Sequence, residues 1–317
     1  MNTVPISHLS LIKISGPDAQ TFLQGQLTND VAKLSNSWQY AGYCNPKGRL
    51  LALLQIWRQE ENFYALISSD LVEATSKRLR MYVMRSKVSI EELADCKLIG
   101  LLQHSSLAPT LARLNLPPED AACEQSELGE YRHGDLIQNQ KACVLIINKR
   151  ALIVHKAGTE DSTEPSLETN SRWLQADISE GVPQVCAATV EQFIPQMLNL
   201  DILGGVSFKK GCYTGQEIVA RMHYLGKLKQ RMFSCDISNN IGIMADINDV
   251  ALPEAGDKVY SDSALEKAIG TLVSVDLSSR QVLAVLRLNS LEDCLRLNAN
   301  YQLNLTAQQA YSIPERQ

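Results

Sequence analysis

The sequence predicts an α+β protein made of two antiparallel α+β units, followed by a small all-β domain of barrel type. Three observations carry this. The 317 residues suggest two or three domains, each able to bury its own core. In the first half, short apolar runs often follow one another with no helix between them, which suits an antiparallel sheet better than a doubly wound one. Beyond about residue 230 the texture changes to short β-type runs, FSCDI, IGTLVSVD and VLAVLRL, separated by Asn, Gly, Asp, Pro and Ser.

Residues 9 to 14, LSLIKI, alternate apolar and polar with the strand period of two. Gly16 then turns the chain and Pro17 stands where a helix can begin; Phe22, Leu23 and Leu27 recur at helical spacing, so a short amphipathic helix is expected over 17 to 27. Strands follow at 39 to 44, 49 to 57 and 63 to 68, with Asn45-Pro46-Lys47-Gly48 as the tight turn of a hairpin. Asp70 is placed to cap a helix reaching about Val83, and Val88 to Ile90 is extended again. A strand at 97 to 103, a helix near 105 to 114 and strands at 142 to 147 and 151 to 155 repeat the mixture. The stretch GTEDSTEPSLETN, 158 to 170, has four acids and only Leu167 as a large apolar residue, and reads as an exposed loop. Domain boundaries are expected at 1–100, 101–228 and 229–317.

Composition narrows the function classes. With 45% hydrophobic and 21% charged residues, disorder, collagen and coiled coil are excluded. No apolar run approaches the ~20 residues of a membrane span, and MNTVPISHLS lacks the basic flank and apolar core of a secretory signal, so a cytoplasmic protein with no membrane partner is expected. Eight cysteines, at 44, 96, 123, 143, 186, 212, 235 and 294, include no CxxC pair and none clusters with histidine, so they read as reduced thiols and no metal site is expected. A phosphate loop fails by inspection, because five residues separate Gly205 from Gly211 and no Lys-Ser or Lys-Thr follows; no GxGxxG supports a dinucleotide site. The net charge of −5 means that any polyanion must be met by a local patch.

Such a patch stands at 209 to 232, where Lys209, Lys210, Arg221, Lys227, Lys229 and Arg231 face a single acid, Glu217. That segregation suits a carboxylate, a phosphate or an RNA backbone, and a solvated helix face is the plain alternative. Inside it, Lys209 and Lys210 precede Cys212 and Gly211 adjoins it; nearby cations favour thiolate over thiol, so a reactive cysteine stands against an inert half-buried one. Gly215-Gln216-Glu217 opens a helix with Ile218, Val219 and Met222 on its apolar side, and Glu217 with Arg221 forms an i, i+4 pair.

The motif KKGCYTGQE, running Lys209, Lys210, Gly211, Cys212, Tyr213, Thr214, Gly215, Gln216, Glu217, resembles that of the YgfZ family of folate-binding proteins tied to tRNA modification and iron-sulfur maintenance. FIPQ at 193 to 196, GGVSF from Gly204, GPDAQTFLQGQLTNDV at 16 to 31, PKGRL at 46 to 50 and WLQADISEGVP at 173 to 183 extend the resemblance over essentially the whole chain. It implies a fold similar to the glycine cleavage T-protein, three domains around a central cavity, with tetrahydrofolate or a one-carbon derivative as cofactor. On this resemblance Glu180 pairs with the pterin and Trp173 stacks on the ligand, with Leu9, Lys210 and Arg221 as further candidate cofactor-binding residues; the basic window can accept the glutamate tail of folate or a phosphate-rich RNA surface. Leu9 stands where relatives carry a second tryptophan, and the turn Asn45-Pro46-Lys47-Gly48-Arg49 stands where the T-protein has a catalytic aspartate, so aminomethyl transfer is not expected.

The implied function is a folate-binding accessory protein that supports iron-sulfur enzymes and thereby tRNA modification, with iron-sulfur proteins or assembly factors as partners. Two alternatives stay open. One is a folate-dependent one-carbon transferase using Cys212. The other is a direct tRNA-binding factor, which would depend on Lys227, Lys229 and Arg231.

Overall fold

The structure, a computed structural model, describes residues 3–103, 107–114, 116, 132–156, 167–239, 252–261, 265–298, 301–306 and 309. The chain begins with β1 (Thr3–Pro5), β2 (Leu9–Ser15), α1 (Ala19–Gln26), β3 (Trp38–Cys44), β4 (Leu50–Gln59), β5 (Asn62–Ser68), α2 (Val72–Val83) and β6 (Ser89–Glu92). It continues with β7 (Cys96–Leu101), α3 (Leu107–Arg113), β8 (Leu136–Gln138), β9 (Ala142–Ile147), β10 (Arg150–Lys156), α4 (Leu167–Ser179) and α5 (Gln216–Tyr224). The last part holds β11 (Gln230–Asn239), β12 (Lys258–Tyr260), β13 (Ala268–Asp276), β14 (Gln281–Arg287), β15 (Leu295–Arg296) and β16 (Tyr301–Leu305). These elements form two compact units: Met1–Tyr43, Ala52–Trp173 and Gly204–Tyr213 in the first; Cys44–Leu51, Leu174–Leu203 and Thr214–Gln317 in the second.

The first unit holds two five-stranded sheets, ordered β3-β4-β5-β2-β6 and β1-β7-β10-β9-β8. β4 shows the period of two: in LLALLQIWRQ the residues Leu50, Ala52, Leu54 and Ile56 are buried while Leu51, Leu53 and Gln55 between them are half-buried, and the alternation ends at Trp57, which is buried as well. In the second sheet Ile99, Leu101, Val144, Ile146, Ala151 and Ile153 bury against Leu107 and Leu111 of α3. α1 turns in through Gly16, whose φ of 112° is open to glycine, and buries Ala19, Phe22 and Leu23.

In the second unit the C-terminal strands close as an antiparallel barrel, β11-β14-β13-β12-β15-β16, around Phe233, Cys235, Ile237, Val259, Ile269, Leu272, Val282, Ala284 and Leu286. This is the β-rich tail that the sequence texture foretells.

Two expectations need correction. α4 begins at Leu167, inside the segment expected to be a loop; residues 158–166 of that segment lie outside the described residues. Its helical signal is Trp173, Asp177 and Ile178, buried at 3.6-residue spacing. Asp70 is no cap either, because a short 3-10 turn, Ser69–Leu71, precedes α2 and its N-cap position is Leu71, with no side-chain hydrogen bond. Among the described residues, no helix is long and apolar enough to cross a membrane.

Candidate functional site around Cys212

The segment that leads to Cys212 has no regular secondary structure, so its shape depends on side-chain hydrogen bonds. Within the first unit these come from residues 27 to 29, just after α1. Thr28 Oγ1 donates to Gly205 O at 2.7 Å and accepts from Gly42 N at 2.7 Å, while Ser207 N donates to Thr28 O at 3.0 Å. Asn29 Nδ2 donates to Gly204 O at 2.7 Å and to Tyr40 O at 2.8 Å. Lys210 returns the contact, its Nζ donating to Leu27 O at 2.7 Å and Asn29 O at 2.8 Å. Residue 27 is itself fixed to β3 by a bridge to Tyr43. At about 1 kcal/mol per hydrogen bond the cross-links sum to several kcal/mol, enough to hold one loop conformation.

Lys210 is therefore the inner pin of this clamp. Its ammonium lies 5.3 Å from the centre of the buried Tyr213 ring, within cation-π range. Burial pushes its pKa down from 10.5 to about 8, against the attraction of Asp30. Because the folded pKa lies below the unfolded one, the charged side chain costs folding free energy at neutral pH, and that cost is relieved as pH rises from about 8 toward 10.5. The Lys210 13Cε resonance is expected to titrate with a midpoint near 8, and lower still in Asp30→Asn; a midpoint near 10.5 would show a solvated ammonium. Cys212, at the end of the clamped run, is exposed, as is Lys209. Of the other described cysteines, Cys44, Cys143 and Cys235 are buried, and burial pushes each of their thiols well up; Cys294 is exposed but belongs to no such clamp.

The rest of the motif is built in the second unit. Gly215 enters α5 with φ 82°, and a Cβ there would lie 2.4 Å from Asn45 O. Asn45 shapes its own turn: Oδ1 accepts from Lys47 N and Arg49 N, and Nδ2 donates to Glu191 Oε1 at 3.0 Å. Gln196, the last residue of FIPQ, donates from Nε2 to Val219 O of α5 at 2.6 Å. PKGRL, FIPQ and TGQE thus form one packed cluster, just as TND and GGVSFKKGC form the other.

The basic window does not act as one surface. Arg221, Lys227 and Lys229 are exposed, but Arg231 is 8% exposed. Its guanidinium donates to both carboxylate oxygens of Asp201 at 2.9 and 2.8 Å, and to Asn199 Oδ1 and Gln196 O. This removes Arg231 from any RNA-binding set. No alternation in the sequence marks this burial, because Met232 and Ser234 are buried along with Arg231, Phe233 and Cys235, so both faces of β11 are covered at this end.

The ligand residues implied by resemblance are placed as follows. Trp173 is 1% exposed, with the Arg150 guanidinium 4.4 Å over its ring and Gly100 so close that a Cβ would come within 2.3 Å of it. Its ring is therefore already stacked, on a cation in the core. Glu180 is half-buried just beyond α4, its N–H bonded to Ala176 O, and Leu9 is half-buried at the start of β2, opposite Ser68. Thr28, Asn29 and Gln196, whose side chains hold the motif segments through backbone carbonyls, are positions that residue-by-residue reading did not single out.

No protein-family model matches the chain. Among solved structures it is similar to the glycine cleavage system aminomethyltransferase T from Bartonella henselae, with a TM-score of 0.67 over 96% of this chain and 84% of that one. At 17% identity this likeness speaks for the fold alone, an aminomethyltransferase-like α+β architecture with its C-terminal barrel. Among curated proteins it is similar to the tRNA-modifying protein YgfZ of Klebsiella pneumoniae, 33% identical over 71% of this chain and 68% of the relative. The protein of the same name from Photorhabdus laumondii is 33% identical over 73% and 71%. At a third identity across more than two thirds of both chains, the chain belongs to the YgfZ family of tRNA-modifying proteins.

Proposed function

We propose that the protein is a folate-binding accessory factor that supports iron-sulfur enzymes and, through them, tRNA modification, with Cys212 as its working group. The observation that carries this reading is an exposed thiol at the end of a loop held by Thr28, Asn29 and Lys210. A structural cysteine needs no such support, whereas a reacting sulfur gains from a fixed position. The chain's residues fit a reduced folate in part. Glu180 offers a carboxylate that accepts two adjacent N–H donors, the pattern a pterin edge presents. Trp173 offers no open face, so an aromatic platform for the ligand is not part of the fit.

Tetrahydrofolate, when bound, supplies a one-carbon unit or a reducing pteridine. Cys212 supplies the nucleophile, the acceptor or one ligand of a cluster in transit; clusters take about four thiolates, so a partner must provide the rest. The turn at Asn45 carries no aspartate, which argues against aminomethyl transfer.

Calorimetry with tetrahydrofolate tests the reading. Wild type is expected to bind, Glu180→Ala to lose about 10- to 100-fold in affinity through loss of charge-assisted hydrogen bonds, and Cys212→Ser to bind as wild type. Cells carrying only Cys212→Ser should nonetheless show reduced tRNA thiolation. No binding by wild type would sink the folate reading, and full tRNA modification in Cys212→Ser cells would remove the role of the thiol.

A further inference from the structure

The end of α2 and the residues after it read Lys77-Arg78-Leu79-Arg80-Met81-Tyr82-Val83-Met84-Arg85-Ser86-Lys87, five cations with no acid in a chain of net charge −5. Lys77, Arg80, Arg85 and Lys87 are exposed. Among them stand three exposed apolar side chains, Met81 at 63%, Tyr82 at 39% and Met84 at 88%. The half-buried Arg78 guanidinium lies 5.8 Å from the Tyr82 ring centre and holds it from one side. Arg80 is anchored by a 2.7 Å bond from Nη2 to Ile90 O, which leaves Lys77, Arg85 and Lys87 as the outer charges. The acids nearby are Glu91 and Glu92 on β6, with Glu91 opposite Lys13, and Asp18, which accepts from the Lys87 backbone N–H. From 77 to 92 cations still exceed acids by three.

We propose that this face holds RNA with unpaired nucleotides, phosphates on Lys77, Arg85 and Lys87 and a base stacked on Tyr82. Charge complementarity selects a polyanion. The exposed ring backed by an arginine selects one with planar bases, because single-stranded nucleic acids bind by stacking on aromatic side chains along a basic track. A membrane-surface helix would need a longer apolar face than these three side chains. The surface goes beyond the folate reading and needs neither Glu180 nor Cys212, and it replaces the set containing Arg231.

The test is fluorescence anisotropy with a labelled tRNA transcript and a labelled uridine 12-mer, at 50 and 200 mM KCl. Binding is expected at 50 mM and about 18-fold weaker at 200 mM, as for three phosphates on an unpaired strand. Tyr82→Ala should weaken binding about tenfold at both salts, with Tyr82→Phe restoring it. Arg85→Ala/Lys87→Ala should weaken it and flatten the salt dependence, while Lys227→Ala/Lys229→Ala leaves it unchanged. All five side chains are exposed, so circular dichroism should match wild type. The proposal is overturned by absence of binding at 50 mM, by equal loss in the Lys227/Lys229 control, or by tighter Tyr82-dependent binding to phosphatidylglycerol vesicles than to RNA.

Discussion

Arg231→Ala is expected to cost about 3–5 kcal/mol of stability, read as a fall in the urea midpoint at unchanged m-value. The size follows from what the change leaves behind. Asp201 loses both of its short guanidinium contacts, and Asn199 Oδ1 and Gln196 O lose a donor in a buried setting. Removing Arg231 leaves the Asp201 carboxylate, 15% exposed, charged and poorly solvated, a larger penalty than the net worth of the pair. Arg231→Met/Asp201→Leu should therefore recover most of the loss, because no uncompensated charge remains. A single variant within about 1 kcal/mol of wild type would mean that water screens the pair as it does at a surface.

The same residue shows where sequence reading reached and where it stopped. Strands such as β4 and the barrel strands were legible because alternation records which face is buried, a local property. Cys212 stood out in the sequence because its neighbours in the chain form a dense motif. The clamp behind it was not: Thr28 and Asn29 meet Gly205 and Gly204 across more than 170 positions, and their partners are backbone carbonyls, which look alike in every sequence. Lys210 and Arg231 counted as surface charge because a cation's sign is visible in sequence and its burial is not. α4 was hidden by its acid-rich approach, although Trp173, Asp177 and Ile178 carried the helical spacing. Trp173 teaches the converse lesson, that a residue carried over by resemblance can be occupied by its own core, here by Arg150 and Gly100.

Gly215→Ala is expected to destabilise by about 3 kcal/mol, the sum of two separable costs. The first is backbone strain, since φ at Gly215 is 82° and an L side chain in that region costs about 1–2 kcal/mol. The second is steric: the new Cβ would stand 2.4 Å from Asn45 O and 2.9 Å from Gly48 Cα, backbone atoms that move only if the whole turn moves. That turn is held by Asn45 Oδ1 on two N–H groups and by Asn45 Nδ2 on Glu191, so it cannot yield cheaply. Gly204→Ala separates the costs, because Gly204 has φ 70° but nothing within 4 Å of the added carbon. It should lose only the strain, about 1–2 kcal/mol. Equal urea midpoints for the two variants would show that the Asn45 turn does not constrain the start of α5. A midpoint clearly lower for Gly215→Ala would place the close approach of PKGRL and TGQE, rather than glycine's backbone freedom alone, among the causes that fix glycine at this position of the motif.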